Sequence, residues 1–217
     1  MGFSISNVIK SISYDQEEII QDILKLHVPQ GFIDCDPTYS KGVFYKNLDK
    51  PRLKFDINPV IPDVVQADCR DLPLKDSSIS CLMFDPPFLA TYGPSLKNKT
   101  RGNNITVNRF SCFRTEPLLH EFYKESLKEF YRLLRKNGVL IFKCQDKVSG
   151  GKQYFSHNII MNQAYDIGFY PKDMFVLLAK SRIISGKHKN QQHCRKFHSY
   201  FLVFEKRKPK VKYEEFY

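Results

Sequence analysis

The chain lacks any Cys-x-x-Cys pair: its six cysteines, Cys35, Cys69, Cys81, Cys112, Cys144 and Cys194, are scattered without regular spacing. That excludes a disulfide framework and points to free thiols in a reduced, cytoplasmic setting. His188, His193, Cys194 and His198 have no recognised zinc-ligand spacing, and no metal is expected. No apolar run approaches the roughly 18 residues of a membrane span. The N-terminus has no basic stretch leading into an apolar one, so neither a membrane protein nor a secreted one is expected. Acidic residues are also in deficit, 23 against 34 lysines and arginines, for a net charge of +11. What is present is a 217-residue chain with 42% apolar side chains, enough for one domain with a sizeable core, which excludes a disordered tail.

The positive excess is concentrated. Between Lys180 and Lys212 stand eleven lysines and arginines and a single acid, Glu205, so the remainder of the chain is nearly neutral. Such a field attracts polyanions. Phe197 and Tyr200, with His188, His193 and His198, lie among these charges, a mixture that suits phosphate contact plus base stacking.

The first periodic segment, about Asp15 to Leu26, has an aspartate N-cap, glutamates in its first turn and an isoleucine-leucine stripe, which predicts a helix. Four short apolar runs follow, each ending at a carboxylate: Phe32 to Cys35 before Asp36, Leu53 to Phe55 before Asp56, Val64 to Ala67 before Asp68, and Ile79 to Phe84 before Asp85. They read as buried parallel strands with acidic carboxyl ends. A non-periodic loop over 89–111 precedes a helix from Glu116 to Arg135, stopped by Lys136-Asn137-Gly138. Strands at Val139 to Lys143, Met174 to Ala179 and Tyr200 to Phe204 and a helix from Ser156 to Asp166 complete the pattern. The expectation is a single α/β domain over 1–217 with a helical extension over 1–30, a mobile loop over 89–111 and a basic hairpin over 180–212. Its sheet should be seven-stranded and mostly parallel, with one antiparallel strand and helices on both faces. In such a sheet the ligand crevice lies beyond the carboxyl ends of the strands, where the strand order switches.

The strongest local signal is Asp85-Pro86-Pro87-Phe88 directly after the fourth apolar run. Two prolines fix successive φ angles and remove two amide donors, leaving carbonyls available as acceptors. A carboxylate and a proline carbonyl side by side can take the hydrogens of an exocyclic NH2, and Phe88 can stack on its ring. Asp85, Pro86, Pro87 and Phe88 are therefore the candidate catalytic residues.

On these residues the chain resembles the class I S-adenosylmethionine-dependent methyltransferases, and among them those that methylate adenine N6 or cytosine N4. In that family a D/N/S-P-P-Y/F/W tetrapeptide ends the fourth strand and holds the target amine. The resemblance runs from about Gly31 to Lys206. It implies a Rossmann-like fold, S-adenosylmethionine as cofactor, Asp56 on the cofactor ribose, Asp68 on its adenine amine and a backbone amide from Cys69. The family's glycine-rich first loop is replaced here by Asp34-Cys35-Asp36-Pro37-Thr38-Tyr39-Ser40-Lys41-Gly42. Asp36, Pro37, Thr38 and Tyr39 are expected to line the methionine end, Asp36 standing 20 residues before Asp56. Asp34, Asp71 and Asp76 read as caps.

The reading that follows is an N-methyltransferase for a nucleobase amine, adenine N6 before cytosine N4 and DNA before RNA, which takes the base out of a duplex or uses single strands. Two rivals share the same residues. One is transfer to RNA or to a protein glutamine; the other is a noncatalytic nucleic-acid-binding protein whose altered first loop has lost the cofactor.

Overall fold

The structure is a computed structural model that describes residues 8–88, 113, 115–181 and 191–207. Its elements in chain order are β1 (Ile12–Ser13), α1 (Gln16–His27), β2 (Cys35–Asp36), a 3-10 turn (Val43–Tyr45), β3 (Leu53–Asp56), β4 (Val65–Gln66), β5 (Ile79–Phe84), α2 (Glu116–Leu133), β6 (Leu134–Cys144), β7 (Lys147–Ser149), β8 (Lys152–Tyr154), α3 (Ser156–Ile167), β9 (Tyr170–Leu178) and β10 (His198–Glu205). Eight strands form one sheet in the order β1-β9-β10-β6-β5-β2-β3-β4, and β7 and β8 make a separate hairpin. β10 runs antiparallel to both β6 and β9, while every other pairing in the main sheet is parallel.

This is the Rossmann-like, doubly wound architecture expected from the sequence, with one strand more than the seven foreseen. The eighth, β1, has two residues, too few to show a period. After β2 the chain steps outward through β3 and β4, then returns to place β5 on the other side of β2. The order therefore switches between β2 and β5, the place at the carboxyl edge where sheets of this kind bind their ligands.

Alternation along the central strand explains the layers. Cys81 and Met83 pack with Ile19, Ile20 and Ile23 of α1 on one face. Leu82 and Phe84 pack with Leu119, Leu127 and Phe130 of α2 and Ile160 and Ala164 of α3 on the other. Being apolar on both faces commits β5 to the middle of the sheet. The Asp15 side chain caps α1 by accepting from the Glu17 N–H at 2.8 Å, and Gly168, at φ 104°, ends α3 in the left-handed conformation.

One boundary differs from expectation. Lys136-Asn137-Gly138 does not stop a helix; α2 ends at Leu133, and these residues form an irregularity inside the eleven-residue β6, with Asn137 at φ 62°. Leu134 already pairs with Ile79, and the pairing register shifts before Cys81 meets Val139. The Asn137 N–H donates to Lys206 O at 2.8 Å and the Lys206 N–H to Gly138 O at 2.9 Å, so the residue that follows β10 satisfies the backbone that a helix would have used.

Phe84 is the hub of the α2 side: it is wholly buried, with ring centroids 4.7 Å from Phe130 and 4.9 Å from Phe142, both edge-on. Phe84→Ala removes this ring from a close-packed centre and should cost about 3–5 kcal/mol. Urea unfolding monitored by circular dichroism measures the loss.

Candidate active site at the carboxyl edge

The switch between β2 and β5 is bridged by side chains. The Asp85 N–H donates to Thr38 Oγ1 at 3.0 Å. The Thr38 hydroxyl and backbone N–H in turn donate to Asp36 Oδ1 at 3.0 and 2.7 Å. Tyr45, from the 3-10 turn, donates its hydroxyl to Asp36 Oδ2 at 2.7 Å. Asp36, Thr38 and Asp85 are thus brought together as one hydrogen-bonded unit. Burial pushes the Asp36 carboxyl up to about 7, against the lowering effect of its bonds from Tyr45 and Thr38 and with the nearby Asp85 adding to the rise.

Asp85 keeps its side chain 27% exposed at the mouth of this unit, with Lys143 Nζ of β6 at 3.6 Å. Burial raises its pKa and Lys143 opposes that rise. Lys143 also donates to Gln16 Oε1 of α1 at 2.8 Å and lies over the Phe44 ring at 4.6 Å. The corner after Asp85 is anchored from α2 and β7. Tyr123 donates its hydroxyl to Pro87 O at 2.7 Å, and Lys147 Nζ donates to Phe88 O. Pro86 is buried, and its carbonyl has no hydrogen-bond partner among the described residues. Pro87 and Phe88 are half-buried.

The other candidates follow along the same edge. Asp56, ending β3, accepts the Ser40 N–H at 2.9 Å and the Asn58 N–H at 2.8 Å, and the Tyr39 N–H donates to Phe55 O at 3.0 Å. These bonds fold residues 37–40 across the end of β3. One strand further, the Ala67 N–H reaches Asp56 O at 3.1 Å, and Asp68 comes next. Asp68 accepts from Arg70 at 2.6 to 3.1 Å, which holds its carboxyl below the usual range; Arg70 also reaches Glu125 at 2.9 Å. Cys69 is buried with its sulfur 3.5 Å from Ser126 Oγ, and its thiol is pushed up to about 12.

Pro37 is buried, and Tyr39 is packed rather than open, stacked on Tyr45 at 5.5 Å. It lies beneath Gly42, which has φ +66° and where an added Cβ would fall 2.4 Å from the Tyr39 hydroxyl. A glycine is needed there both for its φ and for that close approach. Asp34 behaves as the cap it was read to be, taking the Ser80 and Cys81 N–H groups and Arg52. Segment 89–111 and positions 182–190 and 208–212 of the basic stretch fall outside the described residues.

Sequence reasoning passed over Lys143, Lys147, Glu116 and Tyr123, whose partners are remote in the chain. For the β7–β8 hairpin that carries Lys147, Gly150-Gly151 between Ser149 and Lys152 was an available turn signal.

The chain matches no protein-family model, and no curated protein matches it in sequence. Solved structures are similar to it at low identity. A candidate DNA modification methylase from Thermus thermophilus, complexed with S-adenosyl-L-methionine, is 16% identical over 67% of this chain and 55% of its own, with a TM-score of 0.45. PvuII DNA methyltransferase, described as cytosine-N4-specific, is 15% identical over 64% of this chain and 47% of its own, at TM-score 0.45. An S-adenosylmethionine-dependent methyltransferase from Thermotoga maritima, named as a candidate histamine N-methyltransferase, is 17% identical over 87% of each chain, at TM-score 0.49. The chain spans about half the length of the first two. At such distances the fold assignment rests on the strand order itself.

Asp36 carries a consequence for stability. From about pH 4 to about pH 7 an unfolded chain has lost the Asp36 proton that the folded chain still holds, so its contribution to folding falls as the pH rises through that window. Asp36→Asn, which cannot ionise, removes this loss. Urea denaturation at pH 4.5 and pH 7 should show the variant gaining stability relative to the parent protein as the pH increases, and a constant difference would contradict the assignment.

Proposed function

We propose that this chain is an S-adenosylmethionine-dependent N-methyltransferase whose substrate is the exocyclic amine of a nucleobase, adenine N6 in DNA. The observation that carries the reading is the corner at the strand switch. There Asp85, bonded to Thr38 of the first-strand loop, is followed by a Pro86 carbonyl with no hydrogen-bond partner among the described residues and by the half-buried Phe88.

The edge residues fit the cofactor in part. Each Asp56 oxygen accepts one backbone N–H, and an ionised carboxylate offers about four lone-pair sites, so capacity remains for a vicinal diol. The Asp68 side chain is 33% exposed beside the Cys69 backbone, where an adenine edge would be met. Asp36 is turned inward and already accepts three hydrogen bonds, so it shapes the loop of Pro37, Thr38 and Tyr39 rather than facing an ammonium group directly. S-adenosylmethionine supplies, when bound, a methyl group made electrophilic by its sulfonium.

The chain's part in the reaction is orientation. Asp85 and the Pro86 carbonyl accept the two hydrogens of the amine, and Phe88 stacks on the ring, so the nitrogen lone pair is drawn out of conjugation and aimed in line. With that cofactor bound, its sulfonium would release the methyl group to the amine nitrogen, and Asp85 would pass the proton that becomes acidic there to solvent. Lys143 at 3.6 Å favours the charged form of Asp85 that this role requires. The base must be out of its stack, at a cost of roughly a few kcal/mol. The basic stretch supplies the phosphate contacts, and binding should weaken steeply as salt increases.

Tritiated S-adenosylmethionine incubated with duplex DNA, single-stranded DNA, RNA and a glutamine peptide tests the reading. Label should enter adenine in DNA. Asp85→Ala should lower kcat by about 10²–10³ while calorimetric cofactor affinity stays unchanged. Asp56→Ala should weaken cofactor binding by at least about tenfold through loss of charged hydrogen bonds. Label in the peptide alone, or no cofactor binding by the unsubstituted protein, would overturn the proposal.

A further inference from the structure

Phe88 lies just beyond the carboxyl end of β5, and Thr115 caps the start of α2. Lys147 joins these two points. Lys147 Nζ donates to Phe88 O and forms a 2.8 Å ion pair with Glu116 Oε2, on the first residue of α2. Lys147 is 10% exposed and Glu116 is not exposed at all. The carboxylate is favoured where it sits, since the first turn of a helix carries partial positive charge. Burial lowers the Lys147 pKa, and Glu116 opposes that shift. The β7–β8 hairpin steadies the lysine from behind, with Gln153 Nε2 donating to Lys147 O at 3.1 Å.

Such a buried pair is a poor source of net stability, because desolvating both charges offsets most of their attraction. Its effect on geometry is definite. The ammonium stands 2.8 Å from a carboxylate carried on the first turn of a helix and donates to the Phe88 carbonyl. On the same face of α2, Tyr123 holds the preceding carbonyl, that of Pro87, at 2.7 Å. Two successive peptide planes are therefore set from outside the corner.

We propose that Lys147 is the positioning residue for Phe88: with its ammonium held by Glu116, it fixes the Phe88 peptide plane and so the direction in which the ring faces a flat substrate. The substrate half of this inference rests on the reading of the corner as the target-base site; the positional half does not.

The chain contains no tryptophan, so Phe88→Trp installs a unique fluorescent reporter at this position. It is combined with Lys147→Met/Glu116→Gln, which removes both charges together and leaves neither buried alone. Lys147→Met/Glu116→Leu is the second variant should the first fail to fold. In the double variant acrylamide quenching of the reporter should rise severalfold and its anisotropy fall, while cofactor affinity and the unfolding midpoint hold. With Phe88 in place, the same pair of substitutions should raise KM for the nucleic-acid substrate about tenfold, the effect of one charge-assisted hydrogen bond, with a smaller change in kcat. An unchanged reporter in a folded variant overturns the positioning role. A changed reporter in a protein that transfers no methyl group supports the positioning and overturns the functional reading alone.

Discussion

The hydrogen bond from the Asp85 N–H to Thr38 Oγ1 spans the place where the strand order reverses, and the geometry of the edge depends on it. β2 and β5 share only a short ladder, Cys35 opposite Leu82, so their carboxyl ends would otherwise be free to diverge. Thr38 closes that gap because it is bonded on both sides: it accepts from Asp85 and donates twice to Asp36. Asp36 can take both bonds because Tyr45 occupies its other oxygen and the site is sealed from water. The loop after β2 and the corner after β5 are thereby one hydrogen-bonded object. The first loop is tied to Asp85 through these three bonds.

Charge is distributed in keeping with that constraint. Burial raises both Asp36 and Asp85, and the nearby Asp85 adds to the rise at Asp36. The structure resolves the conflict asymmetrically. Asp36 faces only neutral donors and stays high, whereas Asp85 has Lys143 within 3.6 Å and an opening to solvent. One carboxyl acts as a structural hydrogen-bond acceptor and the other stays open to solvent. Lys143 can do this because α1 and the aromatic rings of Phe44 and Phe201 hold it. The N-terminal helix thus contributes to the site without touching it.

The basic stretch shows a similar division. Lys206, counted by sequence among the phosphate-binding charges, is buried and donates to the Leu134 carbonyl at 2.6 Å, where α2 gives way to β6. Arg207 lies over the Tyr170 ring at 3.2 Å and pairs with Glu205. Arg195 remains exposed. Net charge measures attraction to a polyanion, but some of these cations serve the sheet's own edge.

Much of the fold was legible from residue order. Short apolar runs ending in carboxylates announced parallel strands, and Asp15 and Gly168 marked helix ends, because capping and period are local properties of the backbone. The diproline corner was legible for the same reason: φ restriction and missing donors are built into proline wherever it stands. Sequence could not determine which way Asp36 and Tyr39 turn, that Asn137 and Gly138 make an irregularity in a strand instead of a helix stop, or that Lys143 and Lys147 serve the corner. Those outcomes depend on partners far away in the chain, as with Asp34 and Ser80, 46 residues apart, or Lys143 and Gln16, 127 apart. Local chemistry names the acceptors and donors; only the packed sheet, by excluding water, decides which of them must satisfy one another.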